Sequence, residues 1–121
     1  IIAYRSSANF PNLEKGGYKI QKILLFIEEN YKENLKLTEI AQKFYLSLSS
    51  LSHLFKRYTG ISPKRYIIEK KIIEAYKILE EKKGEIKTKK VAEIVGFSNY
   101  KEFVDKFKKI VGIYPSQVNK L

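Results

Sequence analysis

The chain contains no cysteine and no methionine, and its one histidine is His53. Without cysteine it forms no disulfide, carries no thiolate nucleophile and folds no zinc finger. A single histidine builds no histidine-based metal cluster. Acidic side chains are scarce too: 13 Asp+Glu stand against 24 Lys+Arg, a formal net charge of +11. Self-repulsion of that size calls for a counter-charge, and a polyanion such as nucleic acid or anionic lipid supplies it most directly. Arginine is nearly missing from this positive charge: Arg5, Arg57 and Arg65 are the three present, and lysine supplies the rest. Lysine is a mobile point charge, suited to phosphates and poor at bidentate reading of base edges. No apolar run approaches 18 residues, so no membrane-spanning helix is expected. The carboxylate pairs Glu28–Glu29 and Glu80–Glu81 have no companion histidine and no glycine-rich loop, and read as solvated faces. No enzymatic chemistry, cofactor or metal is therefore expected. The missing methionine and the first residue, Ile1, lead to the expectation of a fragment, processed chain or trimmed chain.

What is present suffices for a fold. Hydrophobic residues make up 44% of 121, too many for general disorder. A chain of this length buries about two thirds of its extended surface. It matches the common single-domain size, and two very small lobes sharing a helix also fit.

Residues 1–17 read as a linker or the remnant of an upstream segment, because Ser6, Ser7, Asn9, Pro11, Asn12, Gly16 and Gly17 break periodicity. Ile1, Ile2, Tyr4 and Phe10 could still dock. From Tyr18, the apolar residues Ile20, Ile23, Leu24, Ile27 and Tyr31 recur at helical spacing. A short helix over Thr38–Phe44 follows, with Ile40 and Ala41 inward. Ser47 caps a helix over Leu48–Tyr58 that buries Leu51, Leu54 and Phe55, and Gly60 stops it. Ser62 then Pro63 starts a helix to about Glu81, roughly 28 Å long at 1.5 Å per residue. Tyr66, Ile67, Ile72, Ala75, Ile78 and Leu79 form its packing face. After a polar bridge come a short helix around Thr88–Val95, a turn at Gly96–Phe97, and a helix over Tyr100–Ile110 capped by Asn99, with Phe103 and Phe107 inward. The divisions are 18–62 for a first lobe, 63–82 for a linker helix and 83–121 for a second lobe.

The two lobes repeat one design. Leu37–Thr38–Glu39–Ile40–Ala41, Leu46–Ser47, Leu51, Phe55–Lys56 and Gly60–Ile61–Ser62–Pro63 match Thr88–Lys89–Lys90–Val91–Ala92, Phe97–Ser98, Phe103, Phe107–Lys108 and Gly112–Ile113–Tyr114–Pro115. The short helices register at an offset of 51 (Ala41 to Ala92) and the longer ones at 52 (Phe55 to Phe107). Each unit is a short helix, a tight turn and a longer helix, with a small alanine where the helices cross. That is the helix-turn-helix design, whose second helix can enter a major groove. Successive grooves on one DNA face lie about 34 Å apart, a span a linker helix of this length can serve. Phosphate contacts are expected from Lys56, Arg57, Lys108 and Lys109 near the ends of the reading helices, and from Lys64 and Arg65 at the start of the linker. The helix starts at Thr38, Ser62 and Thr88 offer N–H groups to phosphates as well.

These residues closely resemble the DNA-binding domain of AraC/XylS-type transcription regulators, over about Tyr18–Leu121. The matching pieces are Ala41, Leu51–Ser52–His53–Leu54–Phe55–Lys56, Gly60–Ile61–Ser62–Pro63, Tyr66, Ala75, Val91–Ala92–Glu93–Ile94–Val95–Gly96–Phe97, Phe103, Phe107–Lys108–Lys109, Gly112 and Pro115. The resemblance implies an all-α fold of about seven helices, two helix-turn-helix subdomains joined by a long linker helix. It implies a bacterial regulator binding double-stranded DNA in the cytoplasm, with an upstream sensing or dimerisation domain, and admits RNA polymerase as a partner. The family's base-reading positions fall on Ser49, Ser50, Ser52 and His53 in the first unit and on Tyr100, Lys101, Val104 and Asp105 in the second. This chain departs from the pattern at several places. His53 and Asp105 stand where the family commonly has arginine, Lys71 replaces a linker-helix arginine, Tyr114 replaces Ser or Thr before the second proline, and Val118–Asn119 replaces a closing Tyr–Arg. The Asp105 carboxylate can accept from a cytosine amino group but repels phosphates, so weaker reading by the second unit is expected. The alternative reading is a helical protein-interaction module with a basic surface.

Overall fold

The computed structural model describes residues 15–120, with side chains from 17 to 118. The expected docking of Ile1, Ile2, Tyr4 and Phe10 lies outside them. Six α-helices follow in order: α1 (Lys15–Asn30), α2 (Leu37–Lys43), α3 (Leu48–Thr59), α4 (Pro63–Lys82), α5 (Thr88–Ile94) and α6 (Tyr100–Val111). The seventh element is a 3-10 helix, Pro115–Lys120, rather than an α-helix. Pro115 opens it, and the Gln117 N–H bonds the Tyr114 carbonyl at i−3, the tighter closure of a 3-10 turn.

The chain forms two compact units. Among the described residues, the first comprises those from Lys15 to Asn30 together with Leu35–Ile67; the second comprises Tyr31–Asn34 and those from Ile68 to Lys120. Helix α1 begins at Lys15, three residues ahead of the expected start, and takes up Gly16 and the buried Gly17.

In the first unit α1 and α2 pack on α3. Ile20, Ile23, Leu24, Ile27, Ile40, Ala41, Leu51 and Phe55 are buried there. Burying such side chains stabilises by about 1.5–3 kcal/mol each before conformational entropy is subtracted. Leu54, expected inward, is half-buried. Tyr66 of α4 meets the Phe55 ring edge-on, with centroids 5.3 Å apart. Thr59 is buried at the end of α3. Its hydroxyl donates to the Phe55 carbonyl (2.8 Å) and accepts from the Ile61 N–H (3.2 Å), so the buried oxygen is satisfied.

In the second unit α5 and the closing 3-10 helix pack on α6. Ile72, Ala75 and Leu79 of α4 join Val91, Ala92, Val95, Phe97, Phe103, Phe107 and Val118 in one core. Val118 is therefore an anchor of the closing segment. The expected packing face of α4 is buried at Ile67, Ile72, Ala75 and Leu79 and half-buried at Tyr66 and Ile78.

Local chemistry explains most helix ends. The Ser47 hydroxyl accepts from the Ser50 N–H at 3.0 Å, Ser62 from Arg65 at 3.2 Å, and the Asn99 side-chain oxygen from Glu102 at 3.0 Å. Caps of this kind stabilise by about 1 kcal/mol. Helices α3 and α6 end on the left-handed residues Gly60 and Gly112. The start of α2 differs from the expectation at Thr38: the helix begins at Leu37, and Thr38 lies in its first turn. What holds this end is the Glu39 carboxylate, which accepts from the Lys36 N–H at 3.2 Å.

Candidate nucleic-acid interface

The two helix-turn-helix corners are built alike, down to their hydrogen bonds. In the first, the Leu46 N–H reaches the Ala41 carbonyl (2.8 Å) and the Tyr45 N–H the Gln42 carbonyl (3.2 Å). In the second, Phe97 reaches Ala92 (2.9 Å) and Gly96 reaches Glu93 (3.1 Å). This pair of bonds closes a helix through one left-handed residue. That residue is Tyr45 (φ 58) in one corner and Gly96 (φ 96) in the other. A tyrosine in this region carries about 1–2 kcal/mol of backbone strain. The second corner admits no side chain at all: a Cβ on Gly96 would meet the Lys32 carbonyl oxygen at 2.5 Å.

The second corner is also pinned from α4. The Lys71 ammonium donates to the Gly96 carbonyl at 2.9 Å and lies 5.3 Å from the centre of the Phe97 ring. Burial lowers the Lys71 pKa below the usual lysine value, and the nearby Glu102 charge opposes that shift. Lys71 thus braces the turn.

The sequence-predicted positions on α3 sort by exposure. Ser49, Ser50 and His53 are exposed, and Ser52 is half-buried. Ser49 and His53 stand four residues apart on one helix face, and Lys56 continues it. Ser50 is tied into the cap, accepting from the Ser47 hydroxyl at 3.0 Å. Lys56 and Arg57 lie exposed in the last turn, where positive charge also complements the helix dipole. Ser62 caps α4, and Lys64 and Arg65 are exposed in its first turn. Thr38 is exposed on α2.

On α6 several of the predicted residues engage one another. Lys101 and Asp105 form an exposed ion pair at 3.3 Å. The Tyr100 hydroxyl shares a 2.7 Å hydrogen bond with the hydroxyl of Thr88, the first residue of α5. A predicted base-reading residue and a predicted phosphate contact are thereby brought together. Val104 is half-buried against the core. Lys108 donates to the Gly112 carbonyl at 3.0 Å and lies 4.9 Å from the centre of the Tyr114 ring, so it closes its own helix; Lys109 is exposed. Sequence reasoning did not single out Tyr45, a residue 92% exposed. Its signal was available in the repeat, which aligns Tyr45 with Gly96.

Two matched corners, each presenting a second helix with an outward polar face, define a tandem helix-turn-helix domain. The profile of the family described as "Helix-turn-helix domain" matches residues 40–120. The virulence regulon transcriptional activator VirF of Yersinia enterocolitica is 32% identical over 97 residues, 80% of this chain and 35% of that protein. Among solved structures, the C-terminal domain of the two-component response regulator yesN from Fusobacterium nucleatum is 33% identical, with a TM-score of 0.77, covering 84% of this chain and 98% of that one. A Chromobacterium violaceum transcriptional regulator described as having an AraC-type DNA-binding domain shares the fold at 24% identity and a TM-score of 0.75, over 85% and 90% of the two chains. The chain belongs to the AraC/XylS-type helix-turn-helix family of DNA-binding transcription regulators. It spans about a third of the length of VirF, 35%.

Proposed function

We propose that this chain binds double-stranded DNA sequence-specifically, with α3 and α6 entering successive major grooves, and regulates transcription from the site it occupies. The observation that carries this reading is the duplicated corner: the same turn bonds, the same capped second helix and an outward polar face in each copy.

In this reading Ser49, Ser50, Ser52 and His53 face base edges in the first groove, and Tyr100, Lys101, Val104 and Asp105 in the second. Lys56, Arg57, Lys64, Arg65, Lys108 and Lys109 neutralise phosphates, helped by Thr38, Ser62 and Thr88. The chain acts as a binding module, not an enzyme, without metal or cofactor, in the cytoplasm. Its partners are the duplex, an upstream sensing or dimerisation domain and RNA polymerase. No described helix is long and apolar enough to cross a membrane. Residues 18–62 and 83–121 are the two DNA-reading lobes and residues 63–82 the linker helix.

Selection of binding sites from random duplexes with this 121-residue chain tests the reading. The expected product is a motif with two half-elements about one helical turn apart. Equal recovery of all sequences would reduce the chain to a non-specific basic module.

A further inference from the structure

We infer that Tyr45 is a DNA-contacting residue, its hydroxyl donating to a backbone phosphate at the edge of the groove that α3 enters. The inference rests on the DNA-binding reading above and adds to it a residue outside both sets of predicted contacts.

The two corners supply the comparison. Their turn bonds agree within 0.1 Å, yet the left-handed position is a glycine in one and a tyrosine in the other. At Gly96 the reason is steric, because the Lys32 backbone occupies the space a Cβ would need. At Tyr45 the backbone is equally left-handed, but the side chain stands 92% exposed. A bulky side chain is a true outlier at positive φ, and here no packing offsets the strain. Strain that the surrounding fold does not repay points to a role outside the fold.

The position says where that role lies. Tyr45 lies two residues before Ser47, the cap of α3. In a helix-turn-helix the first helix crosses the DNA backbone while the start of the second reaches base edges. The turn between them therefore runs along the lip of the groove, where phosphates are the nearest polar groups. The Ser47 hydroxyl is already committed, since it accepts from the Ser50 N–H and donates to the Ser50 hydroxyl oxygen. The Leu48 side chain, in a residue 49% exposed, offers no hydrogen bond. Tyrosine suits such a lip, because its ring reaches across the edge and its hydroxyl donates to phosphate oxygens.

The test compares the parent chain with Y45G and Y45F. Each is titrated by fluorescence anisotropy against a selected duplex and a random one at several salt concentrations, alongside thermal unfolding. Y45G is expected to melt no lower than the parent, since glycine accepts the left-handed backbone freely. It should nevertheless bind both duplexes about ten-fold more weakly, the scale of one hydrogen bond to a charged group. Its dependence on salt should match the parent's, because tyrosine is neutral and releases no counter-ion. Y45F, which keeps the ring, should show most of the same loss. Parent-like binding by Y45G, or by Y45F, overturns the contact while leaving the DNA-binding reading intact. A parent chain that binds neither duplex overturns both.

Discussion

His53 stands on the exposed side of α3, four residues after Ser49. It is the imidazole donor and acceptor of that face, among serines that read any base with little discrimination. Replacing His53 with alanine should therefore cost specificity before affinity. Competition between the selected site and its single-base variants should show discrimination falling roughly ten-fold at one or two positions of the first half-element, a share of the about 1–3 kcal/mol that a good base contact provides. An unchanged profile would remove His53 from the reading set. The second unit is arranged differently. The Asp105 carboxylate pairs with Lys101, and Tyr100 is held by Thr88. The pairing sets the Tyr100 ring in the first turn of α6, and the Lys101–Asp105 pair presents little net charge to phosphates. Both effects favour a second half-element that is read more weakly than the first.

At the scale of elements, the corner between α5 and α6 is the least tolerant part of the second unit. Lys71 holds the Gly96 carbonyl and Lys32 fills the space beside its Cα. G96A should combine left-handed strain with a backbone collision, a loss of roughly 2–4 kcal/mol. G60A offers the contrast: φ is 85 there, but nothing lies within 4 Å of the added Cβ, so about 1 kcal/mol should be lost. Denaturant unfolding of the two variants checks the order, and an equal loss from both would show that Lys32 yields at little cost. The helices themselves are marked by short-range chemistry. Ser47, Ser62 and Asn99 each satisfy an N–H within three residues, and Gly60 and Gly112 close α3 and α6. Such signals are readable without knowing what packs where. At α2 the cap comes from Glu39 reaching back to Lys36, so the threonine nearest the start was a poor guide to the boundary.

At the scale of the whole molecule, the net charge of +11 is carried mostly by lysine. The six cationic phosphate candidates, Lys56, Arg57, Lys64, Arg65, Lys108 and Lys109, set the expected salt response. Releasing the counter-ions of about six phosphates should weaken duplex binding roughly a thousand-fold between 50 and 200 mM salt. A titration series in salt measures this slope. A shallow one would mean that most of these cations do not reach phosphates; Lys108 already donates to the Gly112 carbonyl.

The sequence by itself determined the all-α class, the repeat, the buried stripes and most helix ends, because periodicity and caps act over three or four residues. Tertiary structure alone decided where distant groups meet. Tyr31–Asn34, lying between α1 and α2 in the chain, belongs to the second unit and presses Lys32 against Gly96. Lys71 reaches across 25 residues to that same turn, Thr88 across 12 to Tyr100, and Val118 folds back into the core. Each of these depends on which elements pack together. A pattern along one helix carries no record of the surface it will face, and for that reason the bracing of the second reading helix was out of reach of the sequence.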